Sequence, residues 1–319
     1  MKLRTDLGQM MAFTTFQAGG FVNALGSGLA QTIRKLPTAA AKHRAVRDHG
    51  DLNPVLGRVG ALEVRLAITK KDIRRAQKLR FKVFFLEGGA IADARSGLAR
   101  RDICPFDRIC DHMLVIDHAA KTRFGRLKPK IVGTYRLLRK DVADRHGGFY
   151  SAQEFDIAPL LATHAGANFL ELGRSCVLPE YRSKRTIELL WRGIAVYLRH
   201  YKIDAMIGCA SFEGANPLKH ALPLSFLHHH AKATGAWAAR ALPGRHVAMD
   251  MIDADKIELR RALDALPTLV RGYLRVGAKF GDGAVVDRQF GTVDVLVIMP
   301  VAQIDAKFLE HFSPAAKAA

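Results

Sequence analysis

The sequence predicts an α/β (α+β) domain over residues 61–313, with a mixed, mostly antiparallel central sheet and helices on both of its faces. Two observations support this fold class: the predicted elements follow the order β-α-β-β-β-α-β-α-β-β, and the second helix is apolar around most of its circumference. Such a helix is buried, and the strands before and after it form the sheet that buries it. No long Pro- or Gly-rich linker follows residue 60, which argues against a second domain. We expect residues 1–60 to form a basic, weakly amphipathic N-terminal extension and residues 314–319 to form a tail.

The first strand and the first helix have clear local signals. Apolar and polar residues alternate over residues 62–68, which is the two-residue period of a half-buried strand. Thr69 and Asp72 then have the spacing of a capping box, and apolar residues recur at helical spacing until Gly88 and the glycine after it. The pattern therefore predicts a strand followed directly by a helix.

Three strands and the buried helix form the predicted centre of the domain. Strands are expected at residues 113–117 and 131–138, joined by a basic turn around residues 121–130, and a third strand is expected at residues 169–177. The helix that follows is apolar at most positions over residues 187–196, so we expect it to pack against the sheet.

The remaining predicted elements complete the sheet. Residues 205–212 are a short apolar segment typical of a strand, and residues 217–237 are predicted to be a helix. Residues 284–300 predict a hairpin that turns near Gly291.

The charge balance points to an acidic partner. The chain of 319 residues has 49 Lys and Arg against 30 Asp and Glu, a formal charge of +19. A cationic surface attracts acidic proteins, anionic lipids or nucleic acids. A hydrophobic fraction of 49 % excludes wholesale disorder.

Cysteine spacing and hydropathy exclude several classes of protein. The four cysteines form no C-x-x-C pair, so we expect reduced thiols in a cytoplasmic protein and no zinc site of that kind. The longest apolar run, residues 295–302, is far shorter than the ~18 residues of a transmembrane helix.

The N-terminal extension has one pattern of interest. Phe21, Leu25, Leu29 and Ile33 recur every fourth residue, and several cations follow them. This pattern is typical of a helix that lies on an anionic membrane, although a flexible tail with scattered apolar residues would have the same composition.

The segment after the third central strand has the features of an anion site. A strand leads into a cationic turn and the start of a helix, where free backbone N–H groups and the helix dipole favour a negative ligand. The candidate ligand-binding residues of the turn are Arg182, Ser183, Lys184, Arg185 and Thr186. A phosphate is the natural ligand, and a solvated basic turn is the alternative.

This turn resembles the phosphopantetheine-binding motif of the GNAT acyltransferases, R-x-x-G-x-G/A after a strand, with Arg182 in the first position. Arg185 and Ile187 stand where that family has small residues. The turn is therefore less suited to a CoA pyrophosphate than to the single phosphate of a carrier protein's pantetheine arm.

Residues elsewhere narrow the resemblance to one subgroup. A spaced pattern is similar to that of the acyl-homoserine-lactone synthases, and its members are Arg80 to Phe84, Asp107, Asp111, Gly133 to Arg136, Glu171 and Arg174. The stretches ELGRSCVLPEYRSKRT, GCASFEGANP, PLSFLHHH and GDGAVVDRQFGTVDVL resemble those of the L-ornithine Nα-acyltransferases of ornithine lipid synthesis. This closer resemblance covers residues 61–300.

The resemblance implies a reaction. An N-acyltransferase of this family moves a 3-hydroxyacyl chain from the 4′-phosphopantetheine arm of acyl carrier protein to the α-amine of L-ornithine, giving lyso-ornithine lipid, without a tightly bound cofactor. Glu171 is the expected general base, and its alternative role is an ion pair with Arg174. Ser211 is a candidate for protonating the leaving thiolate. Direct attack on the thioester needs no acyl-enzyme, so Cys176 is not expected to be a nucleophile.

The acceptor's carboxylate and second amine require a cation and an anion in the pocket. The candidates for the carboxylate are Arg80, Arg136 and Arg174, and the candidates for the side-chain amine are Asp107, Asp111 and Asp287. Each of them has a structural ion pair as its alternative. We expect no metal at His228, His229 and His230, because consecutive residues fan around a helix.

Other functions remain possible at this stage. The acceptor could be another amino acid, or the donor acyl-CoA. A non-catalytic basic protein that binds membrane or nucleic acid would fit the charge alone, although the sequence has no nucleic-acid motif and no nucleic-acid partner is expected. We expect a cytoplasmic protein, peripheral on the inner face of a bacterial inner membrane.

Overall fold

The computed structural model describes residues 49–305, so the apolar stripe at Phe21–Ile33 and the tail at residues 314–319 lie outside the described residues. The strands within this range are β1 (Val55–Val59), β2 (Leu62–Leu66), β3 (Asp111–Asp117), β4 (Lys130–Arg139), β5 (Phe155–Asp156), β6 (Phe169–Val177), β7 (Ala205–Glu213), β8 (Arg240–Ala241), β9 (His246–Val247), β10 (Lys279–Phe280), β11 (Ala284–Asp287) and β12 (Thr292–Pro300). The α-helices are α1 (Lys70–Arg80), α2 (Ala94–Ala99), α3 (Lys140–Arg145), α4 (Ala158–Thr163), α5 (Lys184–His200), α6 (Ala221–Ala231), α7 (Leu259–Ala265) and α8 (Thr268–Arg275).

Ten of these strands form one large sheet in the order β1-β2-β3-β4-β6-β7-β12-β11-β9, with β10 beside β12. The pair β6–β7 is parallel, and every other pair of neighbouring strands in this sheet is antiparallel. The predicted mixed, mostly antiparallel sheet is therefore confirmed.

Alternate side chains of the central strands supply two separate hydrophobic cores, one on each face of the sheet. On β4, Leu137 belongs to the first core and Leu138 to the second. The first core includes Leu79 of α1 and most apolar residues of α5, while the second includes Leu160 of α4. Helices therefore cover both faces, because neighbouring residues of a strand point to opposite sides.

The predicted capping box of α1 is present. Thr69 Oγ1 accepts the Asp72 N–H at 3.1 Å, and Asp72 Oδ2 accepts the Thr69 N–H at 3.2 Å. A π-helical segment, Phe81–Glu87, continues the helix to Gly88, whose N–H donates to Val83 O. This wider turn follows Arg80, one of the predicted site residues.

Several elements differ from the sequence prediction. The sheet begins at Val55, inside the stretch assigned to the N-terminal extension, because β1 pairs with β2. The helix expected over residues 217–237 is a short 3₁₀ turn followed by α6, which ends at Ala231 because the Ala233 N–H pairs with Phe280 O. Helices α2, α3, α4, α7 and α8 and the two-residue strands β5, β8, β9 and β10 were not predicted.

No helix within residues 49–305 combines the length and apolar character that a bilayer crossing requires.

Candidate active site

Strands β6 and β7 separate in the middle of the sheet. They pair only where residues 169–171 face residues 205–207. Gly208 lies just beyond, and a Cβ there would be 2.3 Å from Leu172 O, so only glycine allows the two backbones this close. A bulge then changes the register of β6 against β4, with Arg174 at a φ of 50°. Because β6 turns away from β7, the edges of both strands are open for a ligand.

The open edge of β6 has the backbone donors expected to stabilise an oxyanion. The candidates are the N–H groups of residues 175–178, where β6 leaves β7. The Leu178 N–H donates to Val132 O at 2.9 Å and is therefore occupied. The candidates that remain are the N–H groups of residues 175–177, before the chain enters the basic turn.

Three predicted arginines and two aspartates form a buried ionic cluster beside this edge. Arg80 Nε donates to Asp102 Oδ2, and Arg80 Nη2 donates to Asp107 Oδ2, both at 2.7 Å. Arg136 Nη1 lies 3.6 Å from Asp107 Oδ1, and Arg174 Nε lies 3.3 Å from Asp102 Oδ2. Burial by itself would raise the pKa of Asp107, but the adjacent guanidinium of Arg80 lowers it well below its usual range. With three cations and two anions, the cluster has a net positive charge.

The cluster keeps unused hydrogen-bond donors. Arg80 Nη1 and Arg136 Nη1 are buried and have no hydrogen-bond acceptor among residues 49–305. The guanidinium carbons of Arg136 and Arg174 lie 5.2 and 4.9 Å from the centre of the Tyr150 ring. Buried donors without acceptors are costly, so the site is suited to an anion such as a carboxylate.

Glu171 holds the segment that carries Tyr150 against β6. Its two carboxylate oxygens accept the N–H groups of Tyr150 at 2.9 Å and Ser151 at 2.6 Å. Among the described contacts, Arg174 pairs with Asp102 and not with Glu171. A carboxylate has about four acceptor positions, so two of them remain for another donor.

A second cluster, of three carboxylates, includes Glu154, which follows Tyr150 by four residues in the chain. Ligand oxygens of Glu154, Asp287 and Asp294 are all within 4.8 Å of one another. Arg245 Nη2 lies 3.5 Å from Glu154 Oε1, and Cys209 Sγ lies 3.4 Å from Glu154 Oε2. We call this group the carboxylate cluster.

Burial and mutual repulsion weaken the acidity of the carboxylate cluster. Burial, followed by the charge of Glu154, raises the pKa of Asp294 to about 7, although hydrogen bonds from Ser211 and Thr292 oppose this change. Burial also raises the pKa of Glu154, despite the charge of Arg245. Like charges this close cannot all be ionised cheaply, so the cluster favours a bound cation or a shared proton.

The arginine and carboxylate clusters are electrostatic neighbours through Tyr150. The charge of Arg174 acts to lower the pKa of Tyr150, but burial and the charge of Glu154 raise it to about 12. The charge of Arg174 also acts to lower the pKa of Glu154. The two clusters therefore lie close enough for their charges to interact.

The predicted aspartates separate in the structure. Asp107 is bound by the arginine cluster, whereas Asp111 lies apart and accepts hydrogen bonds from Arg139 at 3.0 Å and Tyr197 at 2.8 Å. Asp287 is the candidate that lies in the carboxylate cluster.

Sequence reasoning did not select the other two members of the carboxylate cluster. Glu154 lies in an irregular segment without a motif. Asp294 had a usable signal, because it is a charged residue within the otherwise apolar strand β12. Ser211, the predicted acid, is its register partner on β7.

Most of the polar residues in the basic turn make structural contacts, and one cation remains exposed. Arg182 Nε donates to Val177 O at 3.1 Å, and its Nη2 pairs with Glu87. Ser183 caps α5 by accepting the Thr186 N–H, and Lys184 lies 3.8 Å from Glu188. Arg185 is exposed and has no ion-pair partner among residues 49–305. The turn therefore offers one free guanidinium beside the start of a helix of 17 residues.

Two of the three consecutive histidines at 228–230 lie closer together than the sequence analysis expected. Ligand atoms of His228, His229 and Asp250 lie within 4.8 Å of one another, with His229 Nε2 2.9 Å from Asp250 Oδ1. The ring of His230 packs against Phe226 instead. Two of the three consecutive rings therefore converge on one carboxylate.

Comparisons with known proteins identify the family of the chain. Residues 79–192 match the acetyltransferase (GNAT) domain family. The chain is 50 % identical over 262 residues to an L-ornithine N(alpha)-acyltransferase of Agrobacterium fabrum (strain C58), covering 82 % of this chain and 88 % of that protein. It is 51 % identical over 258 residues to the protein of the same name from Brucella abortus (strain 2308), covering 81 % and 91 %.

Among solved structures, the chain is similar to an N-acyl amino acid synthase from uncultured soil microbes, with a TM-score of 0.40 and 11 % identity over 76 % of this chain and 91 % of that one. The identity to the curated relatives, over most of both chains, shows the family. The chain belongs to the L-ornithine N(alpha)-acyltransferases and is an acyltransferase with a GNAT-like fold.

Proposed function

We propose that this acyltransferase moves a 3-hydroxyacyl chain from the phosphopantetheine arm of acyl carrier protein to the α-amine of L-ornithine. The observation that supports this most directly is the arginine cluster next to the carboxylate cluster, at the point where β6 and β7 separate. Ornithine has a carboxylate at one end and a second ammonium group at the other. The arginine cluster offers a cationic partner for the first, and the carboxylate cluster offers an anionic partner for the second.

The acceptor's carboxylate would bind the arginine cluster. Arg80 is held on two sides by aspartates, so it supports the cluster, while Arg136 and Arg174 face Tyr150. An ammonium group of the substrate would neutralise the carboxylate cluster through Asp287 and its neighbours. A buried charge is tolerated only with such a partner.

The chemistry would follow from neighbouring groups. Glu171 accepts the proton of the α-ammonium, directly or through water, and the amine nitrogen then attacks the thioester carbonyl. Backbone N–H groups of residues 175–177 stabilise the oxyanion of the tetrahedral intermediate. Its collapse breaks the C–S bond, and the second proton of the attacking nitrogen passes through Ser211, the candidate donor, to the leaving thiolate. Burial raises the pKa of the Cys176 thiol well above its ordinary value, which fits a reaction without an acyl-enzyme.

The donor would enter from the basic turn. Arg185 and the first-turn N–H groups of α5 suit the phosphate of a pantetheine arm. An apolar pocket between β6 and β7 is lined by Leu172, Met206, Tyr273 and Met299, and it is suited to the start of the acyl chain. The acidic surface of a carrier protein complements the charge of +19.

The test is an acceptor and donor panel with the purified full chain. We expect labelled ornithine to be acylated from 3-hydroxyacyl carrier protein, more slowly from the matching acyl-CoA. Norvaline, which is ornithine without its terminal amine, should lose at least ~100-fold in kcat/KM because the carboxylate cluster stays unpaired. Absence of transfer to ornithine would contradict the proposal, and equal use of norvaline would remove the role of the carboxylate cluster.

A further inference from the structure

A short arm extends from the sheet between β3 and β4, at residues 118–129. The arm is a folded hairpin: Thr122 N donates to Arg126 O at 2.8 Å, and Lys128 N donates to Ala120 O at 2.7 Å. Gly125 has a φ of 76° in the tight turn at the tip, where its N–H donates to Thr122 O. The tip therefore has a defined shape.

Two large apolar side chains stand exposed on this arm. Phe124 is 76 % exposed and Leu127 is 68 % exposed, and all residues from 123 to 129 are exposed. An exposed apolar side chain is common by itself, but two at one hairpin tip form a surface that gains free energy when it leaves water.

The same arm has four cations and no acid. They are Lys121, Arg123, Arg126 and Lys128. None of the four has an ion-pair partner within residues 49–305. Their charge is therefore available to a negatively charged surface.

The base of the arm is fixed to the end of the sheet that carries the basic turn. Tyr181 Oη donates to Asp117 Oδ2 at 2.8 Å, and Lys130 Nζ lies 2.9 Å from Glu180 Oε1. Arg75 Nη2 donates to Pro129 O at 2.7 Å. The arm and the turn therefore keep a common orientation, with the tip extending outward.

We infer that this arm, residues 118–129, binds an anionic lipid bilayer, with Phe124 and Leu127 in the headgroup region and the four cations at the lipid phosphates. Apolar side chains flanked by cations bind bilayers through both buried area and charge. An acidic protein would use the cations, but a bilayer also accepts the two apolar side chains at the tip. The inference goes beyond the proposed function, because it does not depend on the donor or the acceptor.

Vesicle sedimentation of the full chain tests the inference. We expect binding to phosphatidylglycerol vesicles and little binding to phosphatidylcholine vesicles. The double variant F124S/L127S should bind the vesicles roughly tenfold more weakly. In R123Q/R126Q the affinity for the vesicles should fall about fivefold for each cation removed. The matched control is L98S/L218S, which removes two leucines that are 93 % and 74 % exposed elsewhere and should bind like the wild type.

A local probe separates this arm from any other membrane contact of the chain. In the variant F124W, brominated phosphatidylglycerol vesicles should quench the new tryptophan, with the wild-type chain giving the background of Trp191 and Trp237. Absence of additional quenching would overturn the inference, whatever the sedimentation shows. If F124S/L127S instead raises the KM for the carrier-bound donor and F124W is not quenched, the arm is a carrier-docking surface and the bilayer assignment is wrong.

Discussion

Replacement of Asp294 by Asn should change how the stability of the protein depends on pH. Asp294 is 6 % exposed on β12 and accepts the Thr292 hydroxyl at 2.9 Å. Burial and the nearby charge of Glu154 raise its pKa to about 7. Asn keeps the size of the side chain and a hydrogen-bonding oxygen, but it cannot ionise.

The size of the effect follows from the difference between the folded and unfolded pKa values. The pKa is about 7 in the folded protein and 3.8 for an unperturbed Asp. One pKa unit corresponds to about 1.4 kcal/mol, so the change in the free energy of unfolding is at most about 4 kcal/mol. Between these values the folded state binds a proton that the unfolded state releases. The free energy of unfolding therefore falls as pH rises from about 4 to about 7, and Asp294 makes no further change above that. Part of the effect belongs to Glu154, because the two carboxylates titrate together.

Urea unfolding of both proteins at pH 5, 6, 7 and 8 measures the effect. The stability of D294N relative to the wild type should rise with pH by a large part of that amount. The control D255N removes an exposed carboxylate and should follow the wild type at every pH. Equal pH dependence of D294N and the wild type would show that Asp294 ionises normally and would refute the reasoning.

Three further changes probe the helix cap, the separation of the strands and the base. T69A removes the side-chain acceptor of the α1 cap and should lower the free energy of unfolding by ~1 kcal/mol. T69S keeps a hydroxyl and should restore the stability. An unchanged urea midpoint for T69A would contradict a role of the cap. G208A would bring a Cβ to 2.3 Å from the carbonyl oxygen of Leu172 on β6, so both the free energy of unfolding and kcat should fall. The control G166A has open space around its Cβ and should match the wild type. A fully active, stable G208A would show that the strands can move apart freely. E171Q should lower kcat by roughly 100-fold. Near-normal kcat in this variant would remove Glu171 as the base.

Local signals explain which parts of the fold could be predicted. The alternation before Thr69, its capping box and the apolar helix after the basic turn each lie within a short window of sequence. The helix expected to continue to Trp237 was wrong in its second half, because strand-like pairing with Phe280 replaces helical hydrogen bonds after Ala231. That competing contact lies far along the chain and leaves no local signal.

The candidate site likewise has residues that the sequence indicated and residues that it did not. The sequence indicated the residues with strong motif neighbours: the basic turn, Glu171 and the arginines, with the cationic surplus as a guide to the partners. It also indicated Asp287, but not why that aspartate differs from Asp107 and Asp111.

Tertiary structure alone decided which charges meet. Sequence determined the types and order of the charged residues, since each is read directly from the chain. Asp107 is neutralised by Arg80, whereas Asp287 comes together with Asp294 of the same hairpin and with Glu154, which is distant in sequence. The separation of β6 from β7 and the burial of these groups exist only in the folded sheet. Because the interaction between charges depends on distance and burial, only the folded chain separates these residues into a cationic and an anionic cluster that lie near each other.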